Sequence, residues 1–188
     1  AMTEGGGNIA IGYQALKGAN HADADNNIAI GTSALDGIST NGAASNIAIG
    51  SDALGAALTT DGNIGIGQTA LGALTSGNGN TAVGYQAADA ITVGEYNTVL
   101  GYTALSACVD GDFNTAIGHQ SLLNYEGGDG EGNNTAVGHN SGVHVSTGES
   151  NTFIGTKAGQ GNSGARLTGD HNTAVGHNAG LLLQGPGA

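Results

Sequence analysis

The fold is decided by a five-residue phrase that first occurs as Asn8-Ile9-Ala10-Ile11-Gly12 and then returns nine times, at steps of 17 to 21 residues. Each copy runs asparagine, a β-branched residue, a usually small residue, a branched aliphatic residue and glycine. We number each coil from its asparagine as position 0; these asparagines are Asn8, Asn27, Asn46, Asn63, Asn80, Asn97, Asn114, Asn134, Asn151 and Asn172. A short period with small insertions is typical of a solenoid, in which each repeat forms one coil.

Positions 1 to 3 predict a short β-strand, because β-branched residues favour extended backbone. Position 3 is aliphatic in all ten copies, from Ile11 to Val175, and we interpret it as a buried column. Side chains alternate along a strand, so position 1 should share that face and position 2 should lie opposite. The glycine at position 4 predicts a bend, or a backbone torsion that is closed to other residues.

The rest of each coil predicts a second short strand and a variable loop. Position 7 is always alanine or serine, position 8 is leucine in six copies, and position 11 is often apolar. Cys108, the only cysteine, falls at position 11, and we interpret it as a small buried hydrophobic residue. We interpret the ten asparagines as a structural ladder of stacked side-chain amides.

Composition favours one all-β repeat domain. Glycine supplies 37 of the 188 residues, with a single proline, which excludes a collagen-like chain. We assign residues 1–7 to an N-terminal leader or cloning remnant, 8–183 to one parallel β-solenoid of about ten coils, and 184–188 to a C-terminal linker. Each coil encloses a thin core, so we expect a further face to be buried against identical chains by cyclic association.

The charge argues against a nucleic-acid partner. Acidic residues outnumber basic ones 15 to 3, for a net charge of −12. Phosphate binding needs clustered lysine and arginine, and Lys17, Lys157 and Arg166 are scattered along the chain. No run approaches the roughly 18 apolar residues of a membrane-spanning helix, so we predict no membrane insertion by this segment.

Three stretches carry a resemblance to a known family: NIAIGYQAL (Asn8 to Leu16), NTAVGYQAA (Asn80 to Ala88) and NTAIGHQSL (Asn114 to Leu122). They resemble the head repeats of trimeric autotransporter adhesins, the YadA-like head, and the similar repeats of phage tail fibres. The resemblance implies a left-handed β-roll, three chains around one axis, and attachment to surfaces. It also implies an extracellular location, on a cell surface or a virion tail fibre.

No catalytic constellation emerges, so we predict a chain that is not an enzyme and that holds no cofactor. Calcium is the one candidate ion, because oxygen ligands recur at alternate residues in two acidic loops. The candidate ligands are Asp129, Glu131, Asp110 and Asp112; the alternative is a set of solvated turns. His119, His139 and His177 share position 5, where they either bind a metal or an anion, or form a packing column.

The first functional hypothesis is a non-enzymatic attachment module, a rod-like trimeric head or shaft. Its loops would bind a host-surface glycan or protein receptor, since recognition often lies on loops held by a rigid scaffold. The longest loops span 123–133 and 160–171 and contain the contact candidates Tyr125, Glu126 and Arg166.

Two alternatives remain open. One is a structural subunit of an extracellular filament that assembles end to end through its open coils. The other is an ice-binding solenoid, because position 1 is threonine in six successive coils from Thr81 to Thr173. Such surfaces usually carry two threonines per coil, and position 1 is expected to share a face with the buried position 3. We therefore interpret the threonines as buried or interfacial.

Overall fold

The chain folds as a parallel β-solenoid in which each coil contributes one strand of three residues. The computed structural model describes residues 6–18, 24–38, 43–56, 58–128 and 132–183. The strands are β1 (Ile9–Ile11), β2 (Ile28–Ile30), β3 (Ile47–Ile49), β4 (Ile64–Ile66), β5 (Thr81–Val83), β6 (Thr98–Leu100), β7 (Thr115–Ile117), β8 (Thr135–Val137), β9 (Thr152–Ile154) and β10 (Thr173–Val175). They form one sheet in sequence order over about nine turns, and the described ranges contain no helix. The predicted all-β solenoid is confirmed.

Every strand pairs with the next in the same register. Thr81 lies beside Thr98, for example, and Val83 lies beside Leu100. Neighbouring strands in a sheet are about 4.8 Å apart, so nine steps give a rod about 43 Å long. The predicted terminal segments, 1–7 and 184–188, fall almost entirely outside the described residues, which begin at residue 6 and end at residue 183.

The side of the strand that faces the core is the opposite of the one predicted. Position 2 is buried in β2 to β10, whereas positions 1 and 3 are half-buried or exposed in every strand. The prediction that position 3 is a buried column is therefore wrong. The reason is space, because residues such as Leu71 at position 8 and Leu74 at position 11 fill the narrow interior. Only a small side chain, such as that of Ala82, fits beneath most strands.

Phe153 shows that this limit is one of volume. It is the only aromatic residue at position 2, and it is fully buried. The position-8 residues around it are Gly142 and Gly159. A Cβ added to Gly159 would lie 2.3 Å from the Phe153 ring, and one added to Gly142 would lie 3.1 Å from it. The ring therefore occupies the volume that leucines at position 8 fill in other coils.

The predicted second strand does not form in the described part of the chain, and that prediction is wrong. The chain turns instead, and positions 6 and 8 adopt left-handed torsions with φ between 47° and 61°. Such torsions cost about 1–3 kcal/mol for a non-glycine residue. Neighbouring coils hold them in place: Ser33 N–H donates to the Tyr13 carbonyl at 2.8 Å, and Leu35 N–H donates to the Ala53 carbonyl at 3.0 Å.

One asparagine per coil ties the stack together from inside. Asn97 donates its backbone N–H and its side-chain amide to Oδ1 of Asn80, each at 3.0 Å. Its amide also donates to the Gly111 carbonyl at 2.9 Å. Equivalent bonds recur along the rod, and the asparagines from Asn27 to Asn151 are buried. The side-chain amides of these asparagines are therefore used in hydrogen bonds within the solenoid.

Glycine at position 4 is required by both torsion and space. Its φ lies between 121° and 149° in the ten coils. A Cβ added to Gly84 would lie 2.3 Å from the carbonyl oxygen of Gly101 in the next coil. The predicted bend that excludes other residues is confirmed.

We expect Gly84→Ala to destabilise the fold by about 2–5 kcal/mol, because a backbone clash is added to an unfavourable torsion. Urea denaturation followed by circular dichroism measures the loss.

Gly62→Asn is the matched control for this substitution. Gly62 also has a positive φ, of 72°, but nothing lies within 4 Å of its added Cβ, and Asn26 holds the equivalent position with a φ of 58°. Its free energy of unfolding should change by less than about 1 kcal/mol. Equal losses in the two variants would contradict the steric argument.

Candidate functional site

The outward side of the sheet is a continuous apolar and threonine-rich surface. We call positions 1 and 3 of β1 to β10 the strand face. Position 1 is isoleucine in β1 to β4 and threonine in β5 to β10. Large aliphatic side chains on this face remain open to solvent, including Leu100 at 48% and Val175 at 64% exposed. Exposed apolar side chains that share one face of a single chain make that face a candidate interaction surface.

Stacked rings border the strand face at both ends of the strands. At position 5, directly after the glycine, four rings stack with centroids 5.2–5.3 Å apart: Tyr85, Tyr102, His119 and His139. At position −1, directly before the asparagine, Tyr96 and Phe113 stack at 5.3 Å. Aromatic pairs of this kind contribute about 0.5–1.5 kcal/mol beyond their buried area. The rings widen the apolar surface beside the central strands.

Two of the three position-5 histidines, His119 and His139, lie in this packing column. His119 stacks on Tyr102 and on His139. No group of three or more potential metal-ligating side chains occurs among the residues that the structure describes. The observed contacts of His119 and His139 agree with the packing interpretation.

The acidic residues proposed as calcium ligands bond to the neighbouring coil. Asp112 Oδ1 accepts the backbone N–H of Glu95 at 2.7 Å, and Asp110 Oδ1 accepts the hydroxyl of Thr92 at 2.9 Å. These oxygens stabilise turns. The other two candidates, Asp129 and Glu131, lie outside the described residues.

The Asp112 contact belongs to a column that sequence reasoning missed. At position −2, a side-chain oxygen accepts the backbone N–H of the equivalent residue in the preceding coil. The donor and acceptor residues are Gly6 and Asp25, Ala44 and Asp61, Asp61 and Asn78, Glu95 and Asp112, and Glu149 and Asp170. The signal was present, because an acidic or amide residue lies two before the asparagine in seven coils.

The three loop residues proposed as receptor contacts separate in the structure. Tyr125 is fully buried in the core, so its side chain is not available to a receptor, and this expectation is corrected. It occupies position 11, the column of Leu74 and Cys108, which was the signal for burial. Glu126 and Arg166 remain on the surface and form an ion pair at 2.6 Å, with 52% and 38% of their side chains exposed.

The Glu126–Arg166 ion pair joins two loops beside His144. Burial, and secondarily the positive charge of Arg166, lower the pKa of His144, so this histidine is neutral near pH 7. Its Nδ1 lies 3.2 Å from the side-chain nitrogen of Asn124. An exposed ion pair contributes only about 0–1 kcal/mol, so this contact adds little to the stability of the fold.

Comparison with protein-family models, with curated proteins and with solved structures finds no match to this chain. In the described part of the chain, no helix is long and apolar enough to cross a membrane. The geometry of the strand face and of the loops therefore carries the functional argument.

Cys108 is buried, and burial raises the pKa of its thiol to about 12. Because the thiolate is the reactive form, we expect no reaction with a disulfide reagent in the folded protein at mildly alkaline pH. Full reaction should follow unfolding in guanidinium chloride. Absorbance of the released thiolate measures both states.

Thr59→Cys, at an exposed position, is the control for reagent access. The folded variant should show one rapidly reacting thiol, that of the introduced cysteine, while Cys108 does not react. Rapid reaction of Cys108 in the folded wild type would refute its placement in the core.

Proposed function

We propose that this chain is the rod-like head or shaft of an extracellular attachment protein, which works as a homotrimer of left-handed β-rolls without enzymatic activity. The observation that carries the proposal is the strand face. Its aliphatic columns run along the rod, yet residues such as Ile11, Leu100 and Val175 are 48–64% exposed in a single chain. Burial of this surface would provide the apolar stabilisation that the thin interior lacks.

A second copy of the chain fits this surface better than an irregular partner does. The strand face repeats at the spacing of the sheet, and another copy repeats at the same spacing, so matched columns meet along the whole rod. Cyclic symmetry closes such an assembly without leaving an unpaired face. The resemblance to adhesin heads and tail-fibre repeats supports three copies and the left-handed roll.

Burial of the strand face between copies would leave the loops on the outside of the assembly, and these loops are the proposed attachment surface. The loops of different length stay outside, and recognition commonly lies on loops held by a rigid scaffold. The proposed partner is a host-surface glycan or protein receptor, and the proposed location is a cell surface or a virion tail fibre. Glu126 and Arg166 lie on the outer loops and remain proposed contacts.

Ice binding is the second candidate, and one observation favours it. On β5 to β10, threonine at position 1 and an aliphatic residue at position 3 both lie on the outer side of the strand, as Thr98 and Leu100 do. The argument that placed position 3 in the core therefore no longer counts against this function. A strand face buried between copies cannot also bind ice, so oligomeric state separates the two candidates.

Sedimentation velocity of the wild type and of two variants tests the proposal. We expect the wild type to sediment as a trimer. Leu100→Glu combined with Ile117→Glu places carboxylates on the strand face. Because buried unpaired charges are costly, this should weaken association by more than about a hundredfold. The control is Val109→Glu, at an exposed residue outside the strands, which should leave the trimer intact.

The other outcomes are equally informative. A monomeric wild type would refute the proposed association, and thermal hysteresis in that monomer would favour ice binding. Assemblies that lengthen with concentration, and that survive the double substitution, would favour an end-to-end filament.

A further inference from the structure

The two edges of the strand face carry residues of matching type. Position −1 precedes each strand and position 5 follows it, so up to about 20 Å of extended backbone separates them within one chain. In six of the seven coils in which position −1 is not glycine, either both positions carry a ring or both carry a polar side chain without a ring. Three such pairs are Ser45 and Ser51, Tyr96 and Tyr102, and His171 and His177. The exception is the coil of β8, which has Asn133 and His139.

The coil of β5 receives its second ring from the coil that follows. Gly79, at position −1, has no side chain, and a Cβ added to it would lie 2.8 Å from the ring of Tyr96. The Tyr96 ring therefore covers Gly79. Since Tyr85 is at position 5 of the same coil, a ring lies at both edges of β5 as well.

Contacts within one chain do not account for this match. The ring stacks run along the rod, Tyr96 on Phe113 at one edge and Tyr102 between Tyr85 and His119 at the other. Each stack therefore stays on its own edge. Tyr96 is 52% exposed and Tyr102 is 50% exposed, which leaves part of each ring for a contact outside the chain.

The distribution of charge places both edges in the same surface as the strands between them. All 15 acidic and 3 basic residues lie outside positions −1 to 5 of the ten coils. Charged side chains return directly beyond these positions, for example in Asp112 at position −2 and Asp52 at position 6. Charged residues are depleted at the centre of protein–protein interfaces. The uncharged band thus has the composition of one interface that includes the aromatic edges.

A closed ring of copies brings the unlike edges together. In a cyclic trimer each contact is head to tail, so the position-5 edge of one copy meets the position −1 edge of the next. Rotation without translation keeps equal coils at equal height. Tyr102 of one copy then lies level with Tyr96 of the next, and His119 lies level with Phe113 of the next. A shift by one coil would instead place Thr156 beside His171.

We propose that the two edges set the axial register of the trimer, with Tyr96 and Phe113 of one copy packed against Tyr102 and His119 of the next. The inference rests on the proposed trimer and names the residues that align its copies. The aliphatic columns of the strand face recur in every coil, so they fit equally well after a shift by one coil. The edges differ from coil to coil and therefore select one alignment.

A double-mutant cycle on trimer association tests the contact between Tyr96 and Tyr102. Serine replaces each tyrosine, because Ser45 and Ser51 already occupy these positions in the coil of β3. Ser45 also has nearly the torsion of Tyr96, with φ of 60° and 54°. In sedimentation equilibrium we expect each single variant to associate about tenfold or more weakly, since each change removes three contacts per trimer. The loss in the double variant should be at least about tenfold smaller than the product of the single losses.

Tyr102→Ser combined with His171→Ser is the matched control. His171 is also at position −1 but lies in the coil of β10, at another height. The two single losses should therefore multiply in this double variant. Circular dichroism of each variant establishes that the solenoid persists.

Disulfide formation between copies tests the register with all the rings in place. Ser45→Cys combined with Ser51→Cys pairs two edge positions at equal height, whereas Ser51→Cys combined with Gly62→Cys pairs positions one coil apart. A disulfide needs Cα atoms about 4.4–6.8 Å apart, and one coil is a shift of about 4.8 Å. Under mild oxidation the first pair should give covalent trimers on a non-reducing gel, and the second pair less than about a tenth of that yield.

Two results would overturn the inference. One is a product of single losses in the Tyr96 and Tyr102 cycle. The other is a level pair of cysteines that cross-links no better than the shifted pair. If the wild type is a trimer in either case, the register proposal fails while the proposed assembly stands. A monomeric wild type refutes the assembly, and the register with it.

Discussion

The hydrogen bonds of the position-0 asparagine are the interaction on which the stack depends. A thin coil buries little apolar area, so the connection between coils has to be polar and directional. Asn97 Oδ1 accepts the backbone N–H of Asn114 at 2.9 Å inside the core. Without that acceptor, a buried donor would be left unpaired, at a cost of about 1–3 kcal/mol. The same contact in each coil sets the register, which places strand beside strand and glycine above glycine.

Much of this fold could be predicted from the sequence, because identical residues recur at fixed spacing. Residues that recur at the same position of successive coils predict the strands, their parallel register, the bend at position 4 and the burial of Cys108. The side of the strand that faces the core does not follow. Alternation defines two faces of a strand, and both carry apolar residues here, so hydrophobicity cannot choose between them. The choice depends on interior volume, which Leu71 and Leu74 and their equivalents already fill.

Individual site residues were harder to predict than the fold. Tyr125 was chosen for its residue type, although its column places it beside the core residue Cys108. Asp110 and Asp112 show a different limit. Acidic residues at alternate positions suit a calcium loop and a turn column equally well, and the difference lies in the donors that the neighbouring coil supplies. Those donors come from Thr92 and Glu95, far back along the chain.

In a repeat of this kind, a coil can acquire a function of its own where its residues differ from those at the same positions of other coils. Only differences on the surface are open to a partner. Phe153 departs from the alanine column, and glycine at Gly142 and Gly159 absorbs its volume, so the interior stays filled. Position 9, by contrast, has no consensus residue from which a coil could depart, since it is lysine at Lys17 and leucine at Leu123. A compensated departure preserves packing, because interiors tolerate changes that conserve volume. A position on the outer turns can differ from coil to coil, because no interior volume constrains its side chain. The core columns therefore keep the coils alike, and the outer turns are where one coil can differ from the next.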